Sequence, residues 1–293
     1  MKRCIFTGSG VAIVTPFSKD GVDYDKLGEL IEFQIKEKTD AIIICGTTGE
    51  ASTMPDEEHI IVIEYAVKMT NGRLPVIAGT GSNDTRHAIH LSKRAEEVGA
   101  DAILSVSPYY NKTTQRGLYE HFKVIAENLS IPMILYNVPS RTNLNINPET
   151  IQQLSGIENI VAIKECNLNQ VGEIINLCGE DFTVYSGEDG LIVPIMALGG
   201  KGVISVMANI IPRDTHEIAA KFLAGDLEGS RKLQLKTLDL IKALFAEVSP
   251  IPVKEAMNQM GWNIGKCRMP LVDISDANRD ILIKAMQSYG GLM

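Results

Sequence analysis

The chain has 293 residues, 45% of them hydrophobic and 22% charged, values that exclude a disordered polypeptide and suit one barrel of roughly 250 residues with an appendage. Lys and Arg total 28 against 36 acids, a net charge of −8, which argues against nucleic-acid or anionic-membrane partners and favours a small molecule. Five scattered cysteines without a C-x-x-C pair read as free thiols in a reducing compartment, and neither a signal core nor about 18 consecutive apolar residues occurs, so we expect a cytoplasmic protein with no membrane association.

In chain order, an apolar run at Val11–Val14 precedes helical spacing over Tyr24–Lys38, and Ala41–Cys45 precedes Asp56–Met69. Pro75–Ala78 then leads to Asp84–Val98, Ala102–Val106 to Gln115–Asn128, and Pro132–Tyr136 to Pro148–Leu154. Ile160–Ile163, Thr183–Tyr185 and Gly202–Ser205 complete eight candidate strands. Their near-continuous apolar character is what a parallel strand needs when its inner face packs on a core and its outer face on helices. Eight such units within 1–225 predict an α/β fold, a (β/α)8 TIM barrel, and no Gly-x-Gly-x-x-Gly follows the first run to favour an open dinucleotide-binding sheet. Residues 226–293 read as helix only, with a break near Ser249–Pro252, and form a C-terminal helical region that either caps the barrel or contacts another subunit.

In such a barrel the reactive face is built from the C-terminal ends of the strands. Lys164 ends the sixth run, where burial disfavours an ammonium and leaves amine free to attack a ketone. Thr47, Tyr110 and Tyr136 stand after three other runs and offer hydroxyls for proton relay; each taken alone is more often a structural cap or core cover. Gly46-Thr47-Thr48-Gly49 offers backbone N–H groups and hydroxyls to a carboxylate, and Arg141 can grip a second carboxylate through two parallel hydrogen bonds. The seventh run leads into Ser186-Gly187-Glu188-Asp189. His59, His87, His90, His121 and His216 make no H-E-x-x-H, and no serine sits in Gly-x-Ser-x-Gly, so neither a metal site nor a serine hydrolase is expected.

Several longer motifs carry a resemblance: Gly-Ser-Gly-Val-Ala-Ile-Val-Thr-Pro-Phe (8–17), Gly-Thr-Thr-Gly-Glu (46–50), Ser-Pro-Tyr-Tyr-Asn (107–111), Tyr-Asn-Val-Pro-Ser-Arg-Thr (136–142), Ile-Lys-Glu (163–165) and Pro-Val-Lys-Glu-Ala-Met (252–257). With these the chain resembles, nearly end to end, the superfamily of dihydrodipicolinate synthases and N-acetylneuraminate lyases. The resemblance implies a pyruvate Schiff base on Lys164, proton transfer by Tyr136 through Thr47 and through Tyr110 reaching in from a neighbouring subunit, and pyruvate held around Thr48, Gly187 and the backbone at Ile204. Arg141 and the Tyr109-Tyr110 pair imply the synthase branch, whose second substrate is aspartate-semialdehyde, in diaminopimelate and lysine biosynthesis. The alternative is another pyruvate aldolase, acting on N-acetylneuraminate or a 2-keto-3-deoxy sugar acid. No cofactor is implied, and a homotetramer built from tight dimers is.

Two departures from the family pattern stand out. The loop after Lys164 reads Glu-Cys-Asn-Leu-Asn and looks shortened. Where lysine-inhibited relatives bind their effector, Asn83 and Tyr109 are kept, but Asp56 replaces a common histidine and His87 a glutamate. We therefore expect weak or absent lysine feedback, unless Asp56 restores the lost charge from another direction.

Overall fold

The computed structural model describes Lys2 and residues 4–292. Eight parallel strands form a closed barrel: β1 (Gly8–Ala12), β2 (Ala41–Ile44), β3 (Val76–Gly79), β4 (Ala102–Val106), β5 (Met133–Asn137), β6 (Ile160–Glu165), β7 (Thr183–Ser186) and β8 (Gly202–Ser205). They pair in sequence order, and β1 closes the ring between β8 and β2. Helices α1 (Tyr24–Lys36), α2 (Asp56–Thr70), α3 (Thr85–Glu97), α4 (Gln115–Glu127), α5 (Pro148–Ser155), α6 (Leu168–Cys178), α7 (Ile192–Ala197) and α8 (Pro212–Leu223) run outside the barrel between and after the strands. The expected TIM barrel is thus present.

Side-chain alternation divides each strand between two environments. Ile43, Ile77, Ile134, Ala162 and Ile204 form the interior cluster with Tyr136 and Tyr185. Ile42 and Ile44 pack outward in one shell of helices, and Leu135, Ile163 and Val184 in another. Period two therefore sends Lys164, two residues after Ala162, into the barrel, and Glu165, two after Ile163, toward the helices. Phe6 stacks on Tyr185 at 4.3 Å between ring centroids, and the Tyr185 hydroxyl donates to the Phe6 carbonyl at 2.7 Å.

Two sequence expectations need correction. The first strand is Gly8–Ala12, not Val11–Val14. It starts in Gly-Ser-Gly because β1 and β8 approach so closely that a Cβ on Gly202 would overlap the Gly8 carbonyl oxygen. A search for β-branched residues misses a strand whose pairing demands glycine. By Val14 the backbone N–H has left the ladder and donates to Asn209 Oδ1 at 3.0 Å.

The C-terminal region is not helix only. Helices α9 (Leu227–Lys236), α10 (Leu238–Leu244), α11 (Ile251–Gln259) and α12 (Asp276–Tyr289) are interrupted at residues 245–250 and again at 260–275. Gly261, Asn263 and Gly265 have positive φ there and Pro270 follows, a run that no helix accommodates. This second interruption reaches back to the barrel, where the Phe17 N–H donates to the Ile264 carbonyl at 3.0 Å. Among the described residues no helix is long and apolar enough to cross a membrane.

The Gly8–Gly202 contact yields a stability prediction. Gly202→Ala should lower unfolding free energy by about 3 kcal/mol, at the upper end of overpacking costs, because the blocking atom is backbone and cannot rotate away. Gly172→Ala, within α6 and with nothing near its Cβ position, should raise it by roughly 0.5–1 kcal/mol. Urea midpoints of the two variants compare them, and similar midpoints would contradict the closure argument.

Candidate active site

Ladder register places the central pair. Tyr136 on β5 lies opposite Lys164 on β6, and Lys164 lies opposite Tyr185 on β7. Lys164 is 5% exposed, and its Nζ stands 4.4 Å from the centroid of the Tyr136 ring. Burial lowers the lysine below its usual range, nearby Asp189 and Glu188 oppose that shift, and Arg141 adds to it. Burial also pushes the Tyr136 phenol upward, while the Thr47 side chain beside it pulls slightly the other way. The site therefore favours a neutral amine next to a protonated phenol, the two forms that attack on a carbonyl and protonation of its oxygen require.

A cavity of about 450 Å3 opens above this pair, lined by Thr47, Thr48, Tyr136, Arg141, Lys164 and Gly187 among others. Gly187 has no room for a side chain, since a Cβ would overlap Cys166 Sγ and lie 3.2 Å from Lys164 Cε. Its N–H donates to the Glu165 carbonyl at 2.8 Å, which closes the loop after Lys164 against the end of β7. Arg141 sits on a single helical turn, Pro139–Thr142, and its Nη2 donates to the Ser249 carbonyl at 3.0 Å. Residues 245–249, within the first interruption of the C-terminal helices, also line the cavity.

Six of the eight residues singled out in the sequence thus share one cavity. Ile204 lies fully buried within the interior cluster, and two residues further Val206 reaches the cavity wall. Tyr110 is not brought to it: the side chain is 93% exposed on the loop after β4, with φ +67. Its neighbour Tyr109 lines a second cavity of about 390 Å3, on the other side of Thr47 and Tyr136, together with Ser52, Asp56, His59, Ser82 and His87. There His87 Nε2 and Asp56 Oδ1 are 2.9 Å apart, and His87 Nδ1 is 3.1 Å from Ser82 Oγ.

Sequence reasoning missed the supporting carboxylates. Glu165, wholly buried outside the barrel, accepts from Asn137 Nδ2 at 2.9 and 3.0 Å, Gln170 Nε2 at 2.8 Å and the Asn167 N–H at 2.7 Å. The Asn137 Oδ1 in turn accepts from the Ile146 N–H at 3.0 Å. Because Asn137 and Glu165 are the outward neighbours of Tyr136 and Lys164 and pair in the same register, this network fixes the two strand ends that carry the reactive groups. Burial pushes the Glu165 carboxyl up to about 7 against the pull of those donors. Asp189, also buried, accepts from the Val206 and Met207 N–H groups at 3.2 and 2.8 Å and ties the β7 end to the β8 end. The available signal was the glutamate within Ile-Lys-Glu and the acidic pair after Gly187, but their partners lie in other segments.

With this geometry in hand, comparisons with known proteins are specific. The family model described as the dihydrodipicolinate synthetase family matches residues 5–289. The 4-hydroxy-tetrahydrodipicolinate synthase of Acetivibrio thermocellus is 70% identical over 99% of both chains. Among solved structures, dihydrodipicolinate synthase from Aquifex aeolicus superposes with a TM-score of 0.95 at 50% identity, covering 97% of this chain and 98% of that one. The chloride-inhibited enzyme from Acinetobacter baumannii, complexed with pyruvate, superposes at 0.94 with 44% identity over 97% and 98% of the two chains.

The Glu165 carboxyl makes stability depend on pH. Its folded value of about 7 lies above the ordinary 4.5, so the stability it contributes is complete below about 4.5 and is lost as pH rises through about 7. Glu165→Gln lacks that titration and should therefore gain on the wild type across this window by up to about 3 kcal/mol. Urea unfolding of both proteins at pH 5 and pH 8 measures the difference; a gap independent of pH would mean that the carboxyl does not titrate there.

Proposed function

The chain belongs to the dihydrodipicolinate synthetase family, and from that premise we propose how its own residues perform the reaction. The enzyme is a lyase that condenses pyruvate with L-aspartate-4-semialdehyde to 4-hydroxy-tetrahydrodipicolinate, in diaminopimelate and lysine biosynthesis. The sugar-acid aldolase alternative is not favoured. The observation that carries our assignment of roles is the buried Lys164 in register with Tyr136, inside a cavity that also holds Thr47, Thr48 and Arg141.

The neutral Lys164 amine adds to the keto carbon of pyruvate, and the Tyr136 phenol protonates the oxygen, which leaves as water and gives an imine. Loss of a methyl proton gives the enamine. Its carbon attacks the aldehyde carbon of the semialdehyde, whose oxygen takes up a proton and becomes the hydroxyl. The amine of that substrate then adds to the imine carbon, the ring closes, and Lys164 is released. Thr48 and the glycine-flanked turn, with Gly187 and the Ile204 backbone opposite, hold the pyruvate carboxylate, and Arg141 the carboxylate of the semialdehyde. Thr47 relays protons from Tyr136. Its next partner is Tyr110 of the partner subunit, since the exposed Tyr110 of the same chain stands away from the cavity, and we therefore propose a cytoplasmic homotetramer built from tight dimers. Pyruvate and the semialdehyde are its only substrates, with no cofactor.

The second cavity bears on regulation. Among the described residues that line it the only carboxylate, Asp56, is already paired with His87, and a protonated His87 would repel the cationic end of a bound lysine. We propose weak lysine feedback on this basis.

Two experiments test these roles. Borohydride reduction with pyruvate should convert the imine to a secondary amine and so add a carboxyethyl group to Lys164 in the native enzyme, and add nothing in Lys164→Arg, whose guanidinium stays protonated. In the same series Arg141→Ala should raise KM for the semialdehyde at least about tenfold and that for pyruvate less than about twofold. A full-rate enzyme without adduct, or equal changes in both KM values, contradicts the corresponding role. Separately, titration with lysine at neutral pH should leave most activity at millimolar effector; strong inhibition at submillimolar lysine would show that Asp56 or another group replaces the lost carboxylate.

A further inference from the structure

A second buried lysine lies outside the cavity, against the segments that follow β1 and β2. Lys254, on α11 and 2% exposed, uses all three of its N–H donors: to Glu50 Oε1 at 2.9 Å, to the Thr15 carbonyl at 3.0 Å and to the Lys266 carbonyl at 2.9 Å. The other carboxylate oxygen of Glu50 accepts from the Arg268 N–H at 2.8 Å. The pair thus joins three distant segments: the chain leaving β1, the turn after β2, and the irregular stretch at 260–275. Burial lowers the Lys254 ammonium and the Glu50 carboxylate opposes it.

Such a pair has a weak rationale in stability. Desolvation of two charges offsets most of their attraction, and apolar replacement of both partners is often neutral. Its position is more informative. Glu50 closes the turn that carries Thr47 and Thr48, has φ +58, and its N–H donates to the Thr47 carbonyl at 3.1 Å. One residue earlier, the Gly49 carbonyl accepts from Thr15 Oγ1 at 2.7 Å, and Thr15 is itself a partner of Lys254. Both of these hydrogen bonds at the back of the turn therefore lead to the ion pair within one step.

We propose that the Lys254–Glu50 ion pair is a positioning device for the pyruvate half of the reaction, holding the 47–50 turn so that Thr48 meets the pyruvate carboxylate and Thr47 faces Tyr136. Neither residue lines the cavity. The proposal rests on the roles assigned above to Thr47 and Thr48. It also makes the C-terminal region part of the catalytic apparatus, since Lys254 belongs to α11.

The double variant Lys254→Met/Glu50→Gln removes both charges at nearly constant volume. It should fold and keep its thermal midpoint within about 5 °C, while KM for pyruvate rises at least about tenfold, kcat falls, and KM for the semialdehyde moves less than about twofold. Unchanged pyruvate KM and kcat in the folded variant, or equal rises in both KM values, overturns the proposal and leaves the pair a purely structural one. If the double variant does not fold, Glu50→Gln alone is assayed in the same way, and the same shifts in KM and kcat support or overturn the proposal. Borohydride trapping on Lys164 separates the levels: no adduct in the unaltered enzyme means the assignment of the site fails, whereas an adduct with an unmoved pyruvate KM means only this inference fails.

Discussion

An ammonium is costly to bury, and the protein places a lysine at the end of an apolar strand where, among the described residues, nothing forms a direct salt bridge with it. Most of the site follows from that constraint. Lys164 faces inward because β6 alternates, its Nζ lies over the face of the Tyr136 ring, and the carboxyls of Glu188 and Asp189 stand near enough to temper its pKa without pinning it. Compare Lys254, which is as deeply buried but donates to a carboxylate and two carbonyls. One lysine is kept charged and fixed, the other is kept poor in partners and reactive. Hydrogen-bond satisfaction, more than burial, separates the structural lysine from the chemical one.

Much of this was legible in the sequence because it is local. Strand periodicity gave the barrel, the ends of the apolar runs gave Thr47, Tyr136 and Lys164, and the resemblance gave Arg141 its substrate. The unread part is non-local. Nothing near Gly8 or Gly202 says that each is small for the sake of the other, and that is why β1 was expected three residues late. Asn137 and Glu165 each look like ordinary polar residues after a strand until the register sets them side by side. In 260–275 the apolar spacing suggested helix, but positive-φ positions and a proline outweigh spacing. Tyr110 is a different case: its side chain stands exposed and away from the cavity, and the role proposed for it involves a neighbouring subunit.

The same division explains the layout of charges. Inward positions at the ends of β5 and β6 carry Tyr136 and Lys164, to which we assign the proton and imine chemistry, and the outward positions beside them carry Asn137 and Glu165, which bond to one another. Glu165 is closed in by N–H donors and braces the strand ends that carry Tyr136 and Lys164, while Asp189, past the end of β7, accepts through Oδ2 from the Val206 and Met207 N–H groups. The Glu165 carboxyl acts through backbone geometry, so its loss would be felt as misplacement of a neighbour, whereas loss of Asp189 would also remove a charge that opposes the downward shift of Lys164.

The tether between Arg141 and the Ser249 carbonyl has a wider consequence. The guanidinium that would read the second substrate is held at one corner by a segment outside the barrel, one not constrained by strand pairing or by the chemistry of the lysine. Insertion, deletion or a change of turn at residues 245–249 would swing the guanidinium across the cavity mouth with every catalytic residue left in place. Acceptor choice in this architecture can therefore drift by remodelling one wall of the entrance, which gives a single imine-forming barrel a short path from one aldehyde to another.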